Sequence, residues 1–192
     1  MKSLRLLAFA LCLLPAAFCP AADLSVTAAN VVPGARAKTF VGTAGATLTA
    51  GQLVYLDSTA STIKLADADA SATTSNVIGI TASGASSGQP VVIITEDDDL
   101  TVGGTLSMAA PVYCLSSVAG AICPTADIGV GEYPIVVFIA KSTTKAIFKI
   151  TRGTAPATAF NLPGDDTSRF AFARRPSSFV IPRRENDLAL AA

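Results

Sequence analysis

Ala50-Gly-Gln-Leu-Val-Tyr-Leu-Asp57-Ser-Thr-Ala-Ser-Thr62-Ile-Lys-Leu-Ala-Asp-Ala-Asp69 is the stretch whose reading decides the fold. Two short apolar runs, 53–56 and 63–66, flank small polar residues at 57–62. That is the composition of a β-hairpin closed by a short loop. The pattern returns downstream. A shift of 58 places Leu48 on Leu106, Thr49 on Ser107, Val54-Tyr55 on Val112-Tyr113 and Ser58 on Ser116. A shift of 59 or 60 brings Ala66-Asp67 near Ala126-Asp127, Val77-Ile78 near Val136-Val137 and Ile80 onto Ile139. The β-branched run 91–94 finds its counterpart at 146–149. Each half therefore reads hairpin, loop, apolar strand, turn, apolar strand, the mark of a structural duplication.

Short strands at regular spacing, separated by Gly, Ser and Asp turns, predict an all-β chain. The expected architecture is a small antiparallel β-barrel or sandwich built from two related hairpin-containing halves, with irregular N- and C-terminal extensions. Composition agrees. Of 192 residues, 51% are apolar but only 15% are charged, whereas exposed helix faces normally carry abundant Lys and Glu. The expected organisation is a leader at 1–22, an N-terminal extension at 23–40, a β domain at 41–153 and a Pro/Arg-rich tail at 154–192. Within the extension, Val31, Val32, Phe40 and Val41 supply one or two short strands around a Pro33-Gly34 turn.

The leader has the pattern of a secretory signal. Lys2 and Arg5 precede an apolar run at 6–14 that is too short to span a bilayer, and small residues follow up to Ala22. Loss of this segment removes Cys12 and Cys19 and leaves Cys114 and Cys123. A hairpin turning at Val118-Ala119 sets those two directly opposite each other, within reach of a disulfide in an oxidising compartment. The tail combines Pro156, Pro163, Pro176 and Pro182 with the pairs Arg174-Arg175 and Arg183-Arg184 and with Phe160, Phe170, Phe172 and Phe179. It reads as a disordered segment or as an arm that docks on a neighbouring subunit.

Charge and residue usage exclude several function classes. The net charge is zero, and residues 23–153 hold 7 basic against 10 acidic residues, so no segment can track a phosphate backbone and no nucleic-acid partner is expected. Histidine is absent, which removes Ser-His-Asp, Cys-His and His-rich zinc sites. Glu96-Asp97-Asp98-Asp99 is expected to be a solvated loop ending the strand at 90–95, since it lacks the alternation and glycine of a calcium loop. The carboxylates of Asp57, Asp67 and Asp69 could in principle form an acid/base pair, but the repeat partners of Asp67 favour a role in turns. No enzyme activity, catalytic residue, cofactor or metal is expected.

Taken in order, Ala50-Gly-Gln-Leu-Val-Tyr-Leu-Asp57, Lys64-Leu-Ala-Asp-Ala-Asp69, Val77-Ile-Gly-Ile80, Ala85-Ser-Ser-Gly-Gln-Pro-Val91, Ala126-Asp-Ile-Gly-Val-Gly-Glu-Tyr133 and Ile139-Ala-Lys-Ser-Thr-Thr-Lys145 resemble tailed-phage capsid decoration (cement) proteins and related head-fibre domains. The resemblance covers about residues 40–153. It implies a small β-barrel or sandwich that binds the outside of an assembled capsid, between capsomers of the major capsid protein, commonly as a homotrimer. It carries no catalytic residues over, and it implies a virion location with no membrane contact once the leader is gone. The leader and the cysteine pair favour a different class, an exported periplasmic or surface β-domain that binds a protein or glycan.

Overall fold

The computed structural model describes residues 22–153, 156 and 157. Nearly all of the leader and of the tail therefore lie outside the described residues. The described chain is all-β. Its strands are β1 (Lys38–Thr43), β2 (Leu53–Asp57), β3 (Thr62–Leu65), β4 (Val77–Thr81), β5 (Pro90–Thr101), β6 (Val112–Leu115), β7 (Ile122–Pro124), β8 (Ile135–Ala140) and β9 (Lys145–Arg152). Two three-residue 3-10 turns, Ala28–Asn30 and Thr125–Asp127, are the only helical pieces among the described residues. None is long and apolar enough to cross a membrane.

All pairings between strands are antiparallel, in the order β3-β2-β4-β5-β9-β8-β6-β7 with β1 on β5. The long strand β5 organises the whole. Ile94 pairs with both Thr39 and Ile80, and Glu96 with both Lys38 and Lys149. A strand has two edges, so β5 gives one to β1 and the other first to β4 and then to β9. It is at once the last strand of the first half and the first strand of the second.

The first half closes on itself. β1, β5, β4, β2 and β3 follow one another around a ring, and an isolated parallel bridge between Ala44, just beyond β1, and Ile63 of β3, with Gly45 N–H donating to Ile63 O at 2.7 Å, closes it. Its small interior holds Ala44, Leu48, Val54, Ile63, Val91 and Ile93. The second half curls around a larger core that includes Leu100, Leu106, Tyr113, Leu115, Ile122, Val137, Phe138 and Phe148. Leu53, Ile80 and Ile94, from the opposite faces of the first half's strands, fill the remainder. Each of β2, β4 and β5 thus serves two cores, which is why these strands are apolar on both faces.

The N-terminal extension is part of this domain. Leu24 N–H donates to Ile122 O (2.7 Å), Thr27 N–H to Gly103 O (2.9 Å), and Val32 exchanges both backbone hydrogen bonds with Thr101 (3.0 Å). The segment runs from β7 to the free edge of β5 and closes the second half. Val31 is buried in the larger core, with Leu24 and Val26 packed against it. Of the residues expected to form short strands here, Phe40 and Val41 lie in β1 and Val32 makes an isolated antiparallel bridge to Thr101.

The duplication follows a single shift of 59 in its hairpins, rather than 58. Val54↔Leu65, Tyr55↔Lys64 and Leu56↔Ile63 become Tyr113↔Pro124, Cys114↔Cys123 and Leu115↔Ile122. The irregularity between Val54 and Tyr55 returns between Tyr113 and Cys114. Turn chemistry repeats with it. Asp57 Oδ1 accepts from Thr59 N–H as Ser116 Oγ accepts from Val118 N–H, each at 3.0 Å. Ser61 (φ 52°) and Gly120 (φ 77°) supply the left-handed residue that ends each four-residue loop.

Candidate interaction surface

The three carboxylates considered for acid/base chemistry are engaged in turns. Asp57 caps its own loop and meets Lys64 Nζ at 2.6 Å, and that ammonium together with the Thr59 and Ala60 amides holds its pKa below the usual range. Asp67 Oδ1 accepts from Asp69 and Ala70 N–H at 3.1 and 3.4 Å. The neighbouring Asp67 carboxylate, as acceptor of a hydrogen bond from the protonated Asp69 side chain, raises the Asp69 pKa. Among the described residues no group of three or more His, Cys, Asp or Glu could hold a metal ion.

The acidic run is not a loop. It forms the second half of β5, a correction that has a physical cause in partners distant in sequence. Asp97 is 2% exposed and accepts from Gly34 N–H at 2.7 Å and Asp99 N–H at 3.0 Å. Glu96 pairs with Lys38, while Asp99 meets Lys145 at 2.5 Å and Lys141 at 3.1 Å. These ammoniums lower the pKa values of Glu96 and Asp99. Strand pairing and charge pairing together override the poor β-propensity of Asp.

Beside this charged bulge lies an apolar row. Val112 on β6, Ile139 on β8 and Ile147 on β9 are direct cross-strand partners. Ile139 is 48% exposed and Ile147 36%. With strands about 4.8 Å apart, the row spans roughly 10 Å of the outer face. Alternation along β9 places exposed Lys145 and Lys149 on the same face as Ile147. The sequence marks these residues as apolar but does not reveal that they face outward.

Cys114 and Cys123 face each other in the β6–β7 register, at 1% and 2% exposure. Both are free thiols in this structure, and Cys123 Sγ lies 3.5 Å from Leu115 O, to which it can donate. Burial pushes Cys114 up to about 11. Burial, with the charges of Cys114, Asp23, Asp127 and Glu132, pushes Cys123 up to about 12. An unfolded thiol ionises near about pH 8.5, so the folded chain holds protons that the unfolded chain releases. Their contribution is complete below that pH and is lost as pH rises toward the folded values, by up to about 1.4 kcal/mol per pH unit for each thiol. The urea midpoint is expected to fall between about pH 8.5 and about pH 10.5, and to fall less in the Cys114→Ala/Cys123→Ala variant. Equal slopes would contradict buried, neutral thiols.

A groove of about 810 Å³ runs between the N-terminal segment and the 103–105 loop and is lined by residues such as Leu24, Asn30, Val32, Thr101 and Thr144. Among the described residues, its lining includes no acid, base or thiol. Comparison of the chain with known protein families, curated proteins and solved structures found no match.

Proposed function

We propose that this chain is a structural protein that decorates an assembled tailed-phage capsid, binding the major capsid protein between capsomers as a homotrimer and stabilising the shell. The observation that carries this reading is the cross-strand row of half-buried Val112 with exposed Ile139 and Ile147, flanked by the Lys141, Lys145 and Asp99 ion pairs on an antiparallel sheet. Such a surface suits burial against another protein: apolar at its centre and charged at its rim. The closed edges of the sheet favour contact through faces rather than through added strands.

Virions stripped of the protein and incubated with it are expected to take it up in fixed ratio to the major capsid protein and to gain heat resistance. Ile139→Glu is expected to weaken that uptake at least about tenfold, since a buried Ile contributes roughly 1.5–3 kcal/mol. Because Ile139 is half exposed in the free protein, the variant's melting temperature is expected to stay within about 2 °C of the parent. Uptake unchanged by Ile139→Glu and Ile147→Glu would remove this face from the contact, and no uptake at all would sink the reading.

The facing cysteines and the leader pattern favour a second reading, an exported periplasmic or surface β-domain that binds a protein or glycan. There, a disulfide-exchanging oxidant would accept two electrons and two protons from Cys114 and Cys123. Recovery of a bridged form, lighter by two hydrogens, from a periplasmic fraction would select it.

A further inference from the structure

We propose that the leader is removed next to Ala22, by hydrolysis of the Ala21–Ala22 or Ala22–Asp23 bond, and that the new α-ammonium group seats beside Asp127. The step consumes water and leaves a carboxylate on the leader and an amine on the mature chain. This inference rests on the leader reading and is independent of the capsid reading.

Three observations meet at one place. Ala22 and Asp23 line a pocket of about 370 Å³ together with Ser116, Cys123 and Asp127. Asp127 Oδ2 is shut off from solvent and accepts no hydrogen bond among the described residues, although buried carboxylate oxygens are nearly always partnered. The approach of the chain is fixed, because Leu24 N–H is bonded to Ile122 O at 2.7 Å. This holds residues 22–23 against β7, five residues before Asp127.

The charge at the site is one-sided. Asp23, Asp127 and Glu132 all raise the Cys123 pKa, and among the described residues no lysine or arginine lines the pocket. An ammonium group arriving on the chain itself would supply both the missing donors and the missing positive charge. In the uncleaved chain the same atom is an uncharged amide nitrogen, so the pairing arises only on processing. Small residues at 21 and 22 suit peptidases that cleave after Ala.

The test begins with the full chain expressed with its leader and exported. N-terminal sequencing and intact mass are expected to show a start at Ala22 or Asp23; any other start overturns the proposal. On the mature protein, acylation of the α-amine near neutral pH is expected to be about tenfold slower than in Asp127→Asn, the effect of a one-unit rise in amine pKa. Equal rates overturn the pairing while leaving the cleavage standing. One added N-terminal glycine is expected to lower the melting temperature of the parent by about 2–4 °C and that of Asp127→Asn by much less. Equal losses in the two proteins also overturn the pairing. Neither result bears on uptake by virions.

Discussion

Phe138→Ala is expected to lower the melting temperature by roughly 10–20 °C, corresponding to about 4–5 kcal/mol. Phe138 is wholly buried, and in register it stands between Tyr113 on β6 and Phe148 on β9. Its ring stacks on that of Tyr113, with centroids 4.9 Å apart and planes 28° from parallel. Truncation removes the transfer free energy of a full aromatic side chain, the ring contact, and the filling of a core whose neighbours are fixed by strand pairing and cannot collapse. Tyr113→Phe provides the measure of what is specific to the cavity. It keeps the ring but deletes the hydroxyl that accepts from Ser107 N–H at 2.7 Å, and is expected to cost only about 1 kcal/mol. Thermal and urea melts of both variants give the comparison. A loss below about 1 kcal/mol for Phe138→Ala would mean that the second half repacks far more freely than its sheet allows.

The hairpins, the apolar strands and the all-β class were legible in the sequence because they depend on local signals: alternation, β-branched runs and the Asp, Ser and Gly of the turns. What escaped depends on partners distant in the chain. Asp97 sits in a strand because Gly34 donates to it, and Asp99 because Lys141 and Lys145 surround it. The extension from Leu24 to Val32 looks irregular yet closes the second half, since its hydrogen bonds go to Ile122, Gly103 and Thr101. The repeat shows a finer limit. Matching Tyr55 to Tyr113 follows the side chains, both of which pack on the larger core, and gives a shift of 58. Backbone pairing and the turn residues follow 59. A change of one residue reverses the face, so the first hairpin sends Val54 and Ile63 inward to its small core while their counterparts, Tyr113 and Ile122, fill the large one. Of the candidate surface, the sequence gives the apolar identity of Ile139 and Ile147 but not their exposure, and it gives no sign of the buried oxygen of Asp127.

The same equivalence makes Gly79 the position where the first half is least tolerant. Its counterpart at a shift of 59 is Phe138, yet no side chain fits at Gly79. A Cβ there would lie 2.4 Å from Ile94 O and 2.4 Å from Ile93 Cγ2, because β4 crosses close over β5 where Ile80 pairs with Ile94. The first obstacle is backbone in a paired strand, so relief requires moving β5, which both halves share. Gly79→Ala is expected to cost about 1–3 kcal/mol, and Gly79→Val more, enough to leave the chain largely insoluble. Gly88 gives the control. It also resists substitution, but through its backbone (φ 81°), with nothing within 4 Å of a built Cβ. Gly88→Ala is therefore expected to cost about 1–2 kcal/mol, and Gly88→Asn, which tolerates the left-handed conformation, less. At Gly79 the order differs: every added atom worsens the clash, and Asn is worse than Ala. Chemical denaturation of the Ala and Asn variants at both positions separates crowding from conformation. If Gly79→Ala proved neutral, β4 and β5 could move apart, and the shared strand would not be the rigid element that binds the two halves into one domain.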